Sequence, residues 1–87
     1  MNNLFIQFVN HASVLIGNEK NSILSDPWYS GTAFNDGWSL LYENKREEIL
    51  KVLNKTSYIW ISHEHPDHFS IKFINEYYEF IKNKFFL

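Results

Sequence analysis

The first third of the chain alternates between short apolar runs and polar breaks. "LFIQFV" (4–9) and "ASVLIG" (12–17) are two such runs, separated by Asn10 and His11. "SILSD" (22–26) is a third, stopped by Pro27. Short runs of β-formers bounded by Gly, Asn and Pro predict strands. "GNEKNS" (17–22) supplies Gly and Asn where a turn needs unusual backbone angles. The three strands read as a meander. Residues 27–44 break the pattern, with two Gly, one Pro and two Trp among polar turn residues. A connection this long in a compact domain is usually functional or disordered. Its aromatic content argues against disorder, so an ordered loop packed near a site is expected.

A longer period follows. A helix is predicted over 44–54, with Asn44 and Glu47 in the form of a capping pair and Ile49, Leu50, Val52 and Leu53 as its apolar face. "SYIWIS" (57–62) predicts a central strand. A second helix is predicted over 70–83, with Ser70 as N-cap and Ile71, Ile74, Tyr77, Tyr78 and Ile81 on one face. "FFL" (85–87) begins another apolar run. Strands and helices together place the chain in the α/β (α+β) class, with no internal repeats.

Composition narrows the function classes. At 87 residues the chain makes one small domain, yet 45% of it is hydrophobic and 18% aromatic. That apolar load implies a dense small core or a share in a larger body. A net charge of -2 and a pI of about 6.0 disfavour nucleic acid as a partner. The absence of cysteine excludes disulfides, thiolate zinc sites and Cys-ligated iron–sulfur clusters. It fits a reducing, cytoplasmic location. Met1–Leu4 has no basic region leading into a long apolar one, so no signal peptide is read. No run approaches the ~18 apolar residues of a membrane span.

The chemistry concentrates in "WISHEHPDHF" (60–69), which holds three of the four histidines. It lies between a predicted strand and a predicted helix, where open α/β sheets build their sites. Imidazole and carboxylate suit a divalent transition metal, Zn²⁺ above all when no thiolate is available, with Mn²⁺ or Fe²⁺ as alternatives. In an extended segment His63 and His65 point the same way and can reach one metal. Pro66 bends the chain, and Asp67 and His68 fall on a different side. They can serve a second metal, ~3.5–4 Å from the first in a two-metal hydrolytic centre, or activate a water. Asp67 is alternatively the general base.

Other residues carry two readings each. Asp26 can accept a hydrogen bond from a ligand imidazole, as carboxylates behind metal sites do, or simply start a turn. His11 borders the site or is a satisfied turn histidine. Trp28, Tyr29, Phe34 and Trp38 wall a substrate pocket or form local core.

The H-x-H-x-D-H order after a hydrophobic strand resembles the metal signature of the metallo-β-lactamase superfamily. "VNHASVLI" and "ILSDP" resemble that family's second-strand motif and its "DP" strand end. "SDPWYSGTAFNDGWSLLYE" followed by "YIWISHEHPDHFS" is similar to the metallo-β-lactamase-like region of CMP-N-acetylneuraminate hydroxylases and their bacterial relatives. The resemblance covers residues 4 to 83, about the whole chain.

It implies the N-terminal half of an αββα sandwich, making residues 1–87 a partial domain. It assigns His63 and His65 to a first metal. Asp67 and His68 go to a second, with Asp67 also orienting the nucleophilic water and Asp26 supporting the motif. The family draws further ligands from downstream segments, and this chain has no histidine or aspartate after His68. The implied parent activity is hydrolysis of a small molecule. A metal-bound hydroxide would attack an ester, lactone, amide or phosphoester, with a sugar or nucleotide-sugar as the suggested substrate. The isolated chain is expected to be weakly active or inactive. The alternatives are a non-catalytic fragment completed by a missing C-terminal half or by oligomerisation, and a nuclease of the same fold. The hydroxylases' Rieske module needs two cysteines, so oxygenase activity is not implied.

Overall fold

The alternation along residues 4–25 resolves into an antiparallel meander in the computed structural model, which describes residues 4–18 and 20–86. Met1–Asn3, part of the signal-peptide reading, lie outside the described residues, as do Glu19 of the predicted turn and Leu87 of the last apolar run. Strand β1 (Phe5–Asn10) pairs with β2 (Ser13–Gly17), and β2 with β3 (Ser22–Ser25). Ile16 lies opposite both Ile6 and Ile23, while Leu15 lies opposite Leu24. Because side chains alternate across a strand, these two rows occupy opposite faces of the sheet. At the turn between β2 and β3 a Cβ on Gly17 would overlap the Asn21 carbonyl, so the chain closes there only over a glycine.

The long connection is ordered, as expected. It contains a two-residue ladder, β4 (Thr32–Ala33) with β5 (Trp38–Ser39). Its far end is fastened to β1, where the Asn10 amide donates to the Tyr42 carbonyl (2.6 Å) and to Asn44 Oδ1 (2.7 Å). This changes the helix start. Asn44 is occupied by that tie, and helix α1 (Arg46–Lys55) begins one residue later than a cap at Asn44 requires. Glu48, not Glu47, reaches back to accept the Lys45 backbone N–H at 2.8 Å.

Strand β6 (Tyr58–Trp60) then joins the sheet parallel to β3. The helix expected over 70–83 starts as predicted, with Ser70 Oγ accepting the Phe73 N–H. It breaks at Tyr77 (φ -110°, ψ 18°) into α2 (Ile71–Glu76) and α3 (Tyr78–Ile81). The buried stripe is Phe73, Tyr77 and Ile81, while Ile71 and Tyr78 are exposed. At the break the Tyr77 ring stacks on Phe73 (5.4 Å) and lies 5.5 Å from the Arg46 guanidinium. Strand β7 (Phe85–Phe86) closes the described chain parallel to β6, giving the order β1-β2-β3-β6-β7. Strand β6 is thus internal, as expected.

All three helices supply one core. Leu15, Leu24 and Ile59 from the sheet meet Ile49, Val52 and Leu53 of α1, with Phe73, Tyr77, Ile81 and Tyr29 around them. The opposite sheet face carries Ile6, Phe8, Ile16, Ile23 and Trp60, each between 40% and 75% exposed. A depression of about 570 Å³ lies on that face, lined by Val14, Ile16, Ile23 and Trp60 and reaching Asp26. Among the described residues no helix is long and apolar enough to cross a membrane.

Candidate metal centre

Topology decides which distant residues meet. The carboxyl ends of β1, β3 and β6 lie at the same end of the sheet, since β2 runs against its neighbours and β6 runs with β3. The segments leaving those three ends carry His11, Asp26 and the 62–68 run. His11 and Asp26 both hold left-handed backbone (φ 48° and 37°), which is uncommon for residues with a Cβ and tends to gather at sites. Asp26 is kept there by its N–H donating to the Trp60 carbonyl at 2.8 Å.

The 62–68 run leaves β6 extended and then coils. The His68 and Phe69 amides both donate to the His65 carbonyl (2.9 and 2.8 Å), so Pro66, Asp67 and His68 form one tight turn. That turn carries Asp67 inward, where it is buried, and leaves His63 and His65 exposed. His68 lies between these extremes.

Asp26 is buried and receives three donors. Ser62 N–H reaches Oδ1 (2.7 Å), while Ser62 Oγ–H and His68 Nδ1–H both reach Oδ2 (2.8 Å each). With Nδ1 donating, the other nitrogen of His68 points away from Asp26 and stands 3.3 Å from Asp67 Oδ2. The same carboxylate oxygen accepts from His11 Nε2 at 2.9 Å. Burial by itself would push the Asp67 carboxyl up. The hydrogen bond from His11 and the charge of His68 outweigh it and hold the pKa below the ordinary aspartate value.

Donor atoms of His11, Asp67 and His68 lie within 4.8 Å of one another. Ligands at ~2.0–2.1 Å around a tetrahedral ion are themselves separated by about 3.3 Å. The donor set therefore fits a divalent cation. His63 and His65 stand beside it, their rings 4.5 Å apart at 81°, and the His63 ring is 4.1 Å from that of His68.

The expected site residues separate by environment. His63, His65, Asp67 and His68 come together, and Asp26 stands behind them. His11 sits at the site, directly on Asp67, rather than being a turn histidine satisfied locally. The long crossover brings these ends together, and spacing along the chain carries no sign of it. Trp28 is buried with its ring edge-on to His11 at 5.1 Å. Trp38 lies 6.3 Å from His11, and Phe34 lies 6.1 Å from His65; both are exposed and border the site. Tyr29 does not. Its ring packs on Phe73 in the core and its hydroxyl bonds Ser13, so it is core rather than pocket wall. Sequence reasoning passed over Ser62. Its only signal is that it precedes the first histidine at the exit of a strand.

Comparison with known proteins agrees with this frame. The family described as the beta-lactamase superfamily domain matches residues 5–84. The cytidine monophosphate-N-acetylneuraminic acid hydroxylase of Danio rerio is 31% identical over 65 residues, covering 75% of this chain and 11% of that protein. The Mus musculus enzyme of the same name is 38% identical over 65 residues, with the same coverage of 75% and 11%. The Sus scrofa enzyme is 47% identical over 45 residues, 52% of this chain and 10% of that protein. The chain thus spans about a tenth of the length of these relatives. No solved structure matches. With a family match across nearly its whole length, a mixed sheet with helices on one face and a histidine–aspartate cluster at the strand ends, the chain belongs to the beta-lactamase superfamily.

Proposed function

We propose that this chain carries part of a metal-dependent hydrolytic centre. His63, His65, Asp67 and His68 would hold one or two divalent cations, with His11 completing the group around Asp67. Zn²⁺ suits the nitrogen and oxygen donors best, and Mn²⁺ or Fe²⁺ are the alternatives. Such an ion supplies Lewis acidity and acidifies water at neutral pH. The chain's own residues do the rest. Asp26 holds His68 in one tautomer and one orientation. Asp67, ionised and buried, orients a water and takes its proton. Phe34 and Trp38 offer apolar surface to a small substrate at the rim. The single observation that carries this reading is the convergence of His11, Asp67 and His68 on one point, with His63 and His65 alongside.

The substrate class we propose is an ester, lactone, amide or phosphoester. The names of the hydroxylase relatives point to a sugar or nucleotide-sugar. A second reading is favoured by the uncovered apolar sheet face: the chain is a non-catalytic portion that needs another layer before it turns over substrate. The experiment for both is elemental analysis and zinc titration of the 87-residue chain beside a His63→Ala/His65→Ala variant, with a hydrolysis panel. Metal bound near stoichiometry and lost in the variant, with little turnover, is expected. A folded chain that binds no metal would defeat the metal reading. Robust metal-dependent turnover would defeat the second.

A further inference from the structure

We infer that Ser62 is a positioning residue that dictates which nitrogen of His63 carries the proton. The argument starts at Asp26, a buried carboxylate that can only accept. Its two oxygens are met by Ser62 N–H at 2.7 Å, Ser62 Oγ at 2.8 Å and His68 Nδ1 at 2.8 Å. A hydroxyl has one proton, and Ser62 directs it to Asp26 Oδ2. The Ser62 Oγ lone pairs are then all that remains for other neighbours. His63 Nδ1 lies 2.8 Å from that oxygen, so the contact requires an N–H on Nδ1. His63 Nε2 is left as the bare, basic nitrogen. The proton order runs one way, from His63 Nδ1 to Ser62 Oγ to Asp26.

The same carboxylate fixes His68. Its Nδ1 also lies 3.2 Å from Ser62 Oγ, but the shorter contact to the charged Asp26 Oδ2 takes the proton. One buried aspartate therefore sets two imidazoles, His68 directly and His63 through a serine. Both are left with Nε2 as the nitrogen free to ligate, and their rings lie 4.1 Å apart. Donation from the second ring nitrogen is how proteins orient metal-binding histidines and raise their basicity. The value of this order for metal binding rests on the metal reading proposed above. The order itself follows from the hydrogen bonds alone.

The test is two-bond ¹H–¹⁵N correlation spectroscopy of the metal-free chain labelled at histidine, recorded at a pH where the imidazoles are neutral. His63 is expected to show a protonated Nδ1 and an unprotonated Nε2. Ser62→Ala is expected to move His63 to a mixture of tautomers, and Ser62→Thr to restore the original pattern, since threonine keeps the hydroxyl. Loss of a bond behind a ligand typically weakens metal binding by about 10–100-fold, and Ser62→Ala is expected to weaken zinc binding to that extent. A wild-type His63 protonated at Nε2, or averaged between forms, overturns the inference, and this measurement holds even if Ser62→Ala does not fold. An unchanged His63 pattern in folded Ser62→Ala also overturns it. A wild-type chain with the expected tautomer that binds no zinc defeats the metal reading and leaves the inference standing.

Discussion

At Tyr29 the phenol is sealed into the core, 1% exposed, and its hydroxyl meets the Ser13 hydroxyl at 2.7 Å. Burial drives its pKa far above the ordinary tyrosine value, and the Ser13 hydrogen bond offsets only part of that rise. The folded state holds this proton more tightly than the unfolded chain, whose tyrosine titrates near ~10. The resulting stability is fully present below that pH and is lost as pH rises through the folded value. Alkaline titration followed by tyrosinate absorbance and far-UV circular dichroism is expected to show the Tyr29 signal only as the chain unfolds. Tyr29→Phe removes that proton but strands the fully buried Ser13 hydroxyl. It is expected to cost about 1–3 kcal/mol at neutral pH and to flatten the loss of stability above pH ~10. Destabilisation with an unchanged alkaline slope would contradict the assignment. "DPWY" offers no hint of any of this, because an aromatic pair after a strand reads equally as pocket wall or core.

Helix ends show the same division at the scale of elements. Ser70 caps α2 as its sequence position suggests, because Ser followed by an apolar-periodic run has no nearer competitor for its hydroxyl. Ser70→Ala is expected to cost about 1 kcal/mol, lowering the melting temperature by roughly 4–8 °C for a domain of this size. Ser70→Asp should retain most of the cap. Asn44 has equal credentials as a cap but is drawn away by Asn10, which lies 34 positions earlier in the chain. Asn44→Ala is therefore expected to loosen the 27–45 loop, seen as faster exchange of the backbone amide at position 44, which donates to the Tyr29 carbonyl. The amides of α1 should keep their protection. Faster exchange throughout the first turn of α1 would restore the capping role to Asn44. The break at Tyr77 belongs to this scale too. Helical period alone puts Ile71 and Tyr78 inward, whereas the packed stripe is Phe73, Tyr77 and Ile81.

At the scale of the molecule, the described residues cover the sheet on one face only. Leu15, Leu24 and Ile59 are fully buried beneath the helices, while Ile6, Phe8, Ile16, Ile23 and Trp60 lie open on the other side. A contiguous apolar face of this kind is rare on a stable monomer. The isolated chain is expected to bind a hydrophobic dye and to self-associate as its concentration rises, measured by analytical ultracentrifugation. Ile16→Lys with Trp60→Lys places charge on that face without touching the core or the metal cluster, and should shift the chain towards monomer with little change in zinc affinity. Monomeric wild type at high concentration, without dye binding, would show that this face needs no cover. The net charge of -2 gives little repulsion to oppose such association.

The sequence by itself determined the class of elements, the order of the main strands and helices, the end of the sheet where chemistry gathers, and the His63–His68 cluster. These are local properties, set by side-chain period, by turn residues and by the density of ligand-type side chains within six positions. Only the tertiary structure decided that His11 reaches Asp67, that Asp26 and Ser62 jointly order the protons of two histidines, and that Tyr29 faces inward. Each of those contacts joins residues brought together by strand pairing and crossover, or turns on the direction of one hydroxyl proton. Neither is written in the neighbourhood of a residue. They follow from where the carboxyl ends of three strands come to lie.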